Sequence, residues 1–103
     1  MFLAIVEGSV VATKKDENMT GRKLLMLRPQ LVDDQDPTRL KPGKNTIIAV
    51  DSVGAGVGEL VMFCQGSSAR LAPNLKGAPV DAVVIGIVDQ VDILGKQIYN
   101  ARG

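Results

Sequence analysis

Residues 80–94, Val-Asp-Ala-Val-Val-Ile-Gly-Ile-Val-Asp-Gln-Val-Asp-Ile-Leu, are the most apolar run of the chain. β-Branched residues dominate it, no helix cap precedes it, and a glycine, Gly86, stands at its centre. Branching at Cβ crowds the side chain in a helix and suits a pleated surface, so the run reads as a strand bent at Gly86. Residues 2–13, Phe-Leu-Ala-Ile-Val-Glu-Gly-Ser-Val-Val-Ala-Thr, follow the same plan, which predicts a long first strand bent or bulged at Gly8.

Working outward from these two runs, the rest of the chain divides at its polar and glycine-rich stretches. Residues 14–22 are polar and end in Thr20-Gly21, a loop or hairpin connection. Residues 23–28 carry Leu24, Leu25, Met26 and Leu27; periodicity alone allows a strand or a helical turn, and Pro29 favours a short strand. Residues 30–45 hold Asp33, Asp34, Asp36, Pro37, Lys41, Pro42, Gly43 and Lys44 and read as the longest surface loop. Residues 46–51 predict a strand, residues 53–59 a glycine-rich connection, and residues 60–64 another strand. Gly66-Ser67-Ser68-Ala69-Arg70 predicts a short helical segment, capped by Ser67 or Ser68 and kept short by Pro73. About five strands with glycines inside them make this an all-β chain, a small closed or nearly closed barrel of the oligonucleotide-binding-like kind. At 103 residues it is read as one domain, 1–103.

Composition narrows the function. Hydrophobic residues are 46% and charged residues 22%, as in globular chains, but aromatics are only 3% and Trp is absent. A core short of rings is filled by Val, Ile, Leu, Met and Ala and is modest, so oligomerisation would help it. Lys and Arg number 12 against 11 Asp and Glu, a balance that gives no field for a polyanion, and the scarcity of rings removes a stacking platform. Neither nucleic acid nor membrane is therefore an expected partner. The lone Cys64 cannot form an internal disulfide and suits a reducing compartment. The N-terminus lacks a basic region and reads as a strand rather than a signal peptide, and no run approaches a transmembrane length of about 20 apolar residues. The chain contains no histidine, which removes the usual Ser-His and Cys-His nucleophiles and the imidazole metal ligands.

Each remaining chemical motif competes with a structural role. Gly54, Gly56 and Gly58 resemble a phosphate cradle, but no helix and no Gly-Lys-Ser/Thr ending follows, so a tight turn or close subunit contact is the preferred reading. Asp33, Asp34 and Asp36 lack the glycine and distal glutamate of a calcium loop. Asp81, Asp89 and Asp92 could do acid-base work only if held in one cleft, and Ser67-Ser68 near Arg70 has no base. No catalytic, metal or cofactor-binding residue is assigned. A binding module for an oligonucleotide or small anion, and a carboxylate hydrolase, are the alternatives.

One set of segments carries a resemblance. The run Ala49-Val50-Asp51-Ser52-Val53-Gly54-Ala55-Gly56-Val57-Gly58-Glu59, then Gly66-Ser67-Ser68-Ala69-Arg70 and Pro79-Val80-Asp81-Ala82, is similar to the EutN/CcmL family of bacterial microcompartment vertex proteins. Gly8-Ser9-Val10-Val11-Ala12-Thr13, Gly21-Arg22-Lys23-Leu24-Leu25 and Ile87-Val88-Asp89 extend the likeness over nearly the whole chain. The resemblance implies a homopentamer that caps the five-fold corners of a carboxysome-like or metabolosome shell in the bacterial cytoplasm, a structural rather than catalytic task. It implies hexameric shell proteins as partners, met through Thr13, Lys14, Lys15, Gly66, Ser67, Ser68, Ala69 and Arg70. It places Gly54, Ala55, Gly56, Gly58 and Glu59 at a subunit contact or pore rim. Residues 30–44 look longer than the family's usual connection.

Overall fold

A computed structural model describes residues 1–12, 21–66 and 81–103. Eight strands follow one another: β1 (Phe2–Val10), β2 (Leu24–Val32), β3 (Leu40–Pro42), β4 (Ile47–Asp51), β5 (Leu60–Gln65), β6 (Ala82–Ile87), β7 (Gln90–Ile93) and β8 (Lys96–Asn100). β1 pairs with both β2 and β5, and this double pairing closes the ring β1–β2–β4–β6–β5. All neighbours are antiparallel except β4 and β6. The result is the expected small barrel of oligonucleotide-binding-like form. There is no α-helix among the described residues; the helical segment expected around 66–70 falls, beyond Gly66, on residues outside them.

Period-two alternation explains which residues fill the ring. Ala4 and Val6 of β1, Leu25 and Leu27 of β2, Ala49 of β4, Val61 and Phe63 of β5, and Ala82 and Val84 of β6 form one buried cluster. Alanines on three strands leave room for Phe63, the one aromatic ring fully inside. Phe2, opposite it across the β1–β5 ladder, packs its ring against it at 5.5 Å between centroids. Every member of this cluster is apolar, so packing and closure hold it together.

Closing so small a sheet needs bends, and the glycines supply them. The β1–β2 register skips a residue between Val6 and Gly8, as the first run predicted, and the extra residue is Glu7. The β5–β6 register slips beside Gly86, where a Cβ would lie 2.8 Å from the Met62 Cε. Bulges raise local twist and curvature, which lets the strands wrap.

Three boundaries differ from the sequence reading. β2 does not end before Pro29 but runs through it to Val32, because Pro29 stands where β2 passes from pairing with β4 to pairing with β3. Its missing N–H interrupts neither ladder, and its carbonyl accepts the Gly43 N–H at 2.8 Å. Residues 30–45 are not all loop, since Leu40–Pro42 forms β3 on the edge of β2. The apolar run 80–94 is not one strand: it breaks after Ile87, and Gln90–Ile93 turns into a separate β7–β8 hairpin.

Leu27 is fully buried on β2, whereas Ile48 of β4, which stands opposite Met26 across the β2–β4 ladder, faces solvent at 50% exposure. Leu27→Ala should cost about 2–5 kcal/mol, cavity included, while Ile48→Thr should stay within about 1 kcal/mol. Urea denaturation at a fixed protein concentration measures both; equal losses would contradict the assignment of inner and outer faces.

Candidate functional site

The glycine-rich connection between β4 and β5 is organised by the residue that precedes it. Asp51 ends β4 with its side chain only 1% exposed. Its Oδ1 accepts the Val53 and Gly54 N–H groups at 3.0 and 3.1 Å, and its Oδ2 accepts the Ala55 N–H at 2.9 Å. Lys23 Nζ lies 3.6 Å from the same carboxylate and donates to the Ala55 carbonyl at 3.0 Å. A carboxylate that is buried yet accepts several N–H groups and faces a cation is fully compensated.

Glu59 fixes the other end of the connection. Its Oε1 accepts the Gly56 N–H at 2.6 Å, and its own N–H donates to the Gly56 carbonyl at 3.2 Å. Gly58 donates to the Val6 carbonyl at 2.8 Å, and Val6 donates to the Glu59 carbonyl at 3.0 Å, which ties the loop to β1. Gly54 and Gly58 have φ of 79° and 91°, a region that L side chains rarely adopt, so glycine is required at both. Ala55 is completely buried in the core, whereas Val53 and Val57 stand outward at 39% and 71% exposure. The loop is a rigid mount that holds Ala55 inside and two valines outside. The amides that would cradle a phosphate are occupied by Asp51 and Glu59.

Other motifs separate in space. Asp33 accepts the Gln35 N–H and Asp36 accepts the Thr38 N–H and hydroxyl, so these carboxylates cap turns. No cluster of His, Cys, Asp and Glu able to hold a metal occurs among the described residues. Asp81 and Asp89 flank β6 at opposite ends, and Asp92 lies on the β7–β8 hairpin bonded to Gln90, so the three do not share a cleft. Arg28 donates from Nε to the carboxylate of Glu7, the bulged residue of β1, at 3.3 Å and from Nη1 to the Gly43 and Lys44 carbonyls, which anchors the end of the 30–44 connection. Gly66 donates to the Asp81 carbonyl at 2.7 Å. Thr13, Lys14, Lys15, Ser67, Ser68, Ala69 and Arg70 lie outside the described residues. Asp51 and Lys23 were not singled out in the sequence; an Asp four residues ahead of a buried alanine, at the mouth of a glycine run, is the signal that could have found them.

Comparison with known proteins places the chain among one group. The family described as ethanolamine utilisation protein EutN/carboxysome matches residues 1–89. The bacterial microcompartment shell vertex protein EutN of Salmonella typhimurium is 41% identical over 100 residues, covering 97% of this chain and 95% of that protein. The solved structure of Gloeobacter violaceus CcmL superposes with a TM-score of 0.86 at 39% identity, covering all of both chains. The GrpN pentameric microcompartment shell protein from Rhodospirillum rubrum gives 0.74 at 40% identity, over 91% of this chain and 99% of that one.

Two outcomes test this geometry. Asp51→Ala strips three backbone amides of their buried acceptor and should cost about 3 kcal/mol, with Asp51→Asn intermediate, as read by the urea midpoint. The Thr38 hydroxyl and N–H hold the Asp36 carboxyl below its ordinary value of 3.8. A depressed carboxyl adds stability above its unfolded pKa and loses it as pH falls through the folded one, so this contribution fades below about pH 4. In Thr38→Val the Asp36 pKa should rise towards 3.8 in an NMR titration; an unchanged value would discount the hydroxyl.

Proposed function

This chain belongs to the EutN/CcmL family, and on that premise we propose that it is a structural subunit of a bacterial microcompartment shell vertex. Five copies close into a ring at a five-fold corner of the shell, within the bacterial cytoplasm, and the work done is geometric. The observation that carries this reading is the likeness to GrpN, a pentameric shell protein, at 40% identity over 91% of the chain. A flat sheet of six-fold units has no net curvature, and a five-fold unit introduces it. Residues 1–103 act as one domain.

The rigid glycine-rich mount supports a part in fixing the angle between subunits. Contacts that close after a set number of copies require surfaces that do not flex, and the Asp51 and Glu59 bonds immobilise Gly54, Ala55, Gly56 and Gly58 while Val53 and Val57 face outward. This loop lines a subunit contact or the rim of the central pore. Thr13, Lys14, Lys15 and the segment Gly66, Ser67, Ser68, Ala69, Arg70 meet hexameric shell neighbours, where a forked guanidinium suits carboxylates and carbonyls across a seam.

Native mass spectrometry should show a discrete species of about 55 kDa, five copies of a 10.9 kDa chain. A stable monomer at micromolar concentration would overturn the proposal. Arg70→Glu should leave that species intact and reduce the yield of closed shells on co-expression with hexameric partners; closed shells at the wild-type yield would remove Arg70 from the seam.

A further inference from the structure

We draw no further inference here: the strongest candidate, the exposed apolar patch of Phe2, Leu31 and Val32 at the end of the β1–β2 ladder, carries none because nothing in the structure shows what covers it.

Discussion

Closure of the five-stranded ring is the constraint on which everything else rests. β1 must pair on both sides at once, with β2 and with β5, and it does so only because its register slips at the bulge before Gly8. The bulge lets the inner residues Ala4 and Val6 stay on the core while Glu7 swings out to Arg28. Strand pairing, core packing and the anchoring of a surface connection are thus one event. Each large apolar side chain buried inside contributes about 1.5–3 kcal/mol, and there are few of them. A barrel this small has little to spare, and association with further copies adds to its stability.

The polar interactions have a different task. The core cluster is wholly apolar, and the carboxylates act at the ends of strands, where backbone groups would otherwise lack partners. Asp51 and Glu59 immobilise the glycine-rich connection, Asp33 and Asp36 shape the connection after β2, and Arg28 fastens its far end. A protein whose function is to set an angle benefits from rigid loops more than a catalyst does, because an error of a few degrees at one contact is repeated at every copy. The same logic gives meaning to the outward valines.

Several features were legible in the residues. The glycines inside apolar runs marked the bends at Gly8 and Gly86, and β-branching marked β1 and β6 as strands. The segments around Asp51–Glu59 and Ile87–Asp89 pointed to the family that the comparisons then gave. Other features were not. Pro29 reads locally as a stop, and only the change of partner from β4 to β3 makes it harmless inside β2. Ile87 and Val91 look continuous by hydropathy, yet one belongs to the barrel and the other to the hairpin.

The sequence alone determined the all-β class, the exclusion of imidazole chemistry, and the family, because composition, branching and motif are properties of residues and their order. Tertiary structure decided the ring order, the role of Asp51 and the separation of the hairpin. Those depend on which strands meet, and a local run of residues does not encode its partner. Asp51 is an ordinary carboxylate until β4, the glycine-rich turn and Lys23 converge on it.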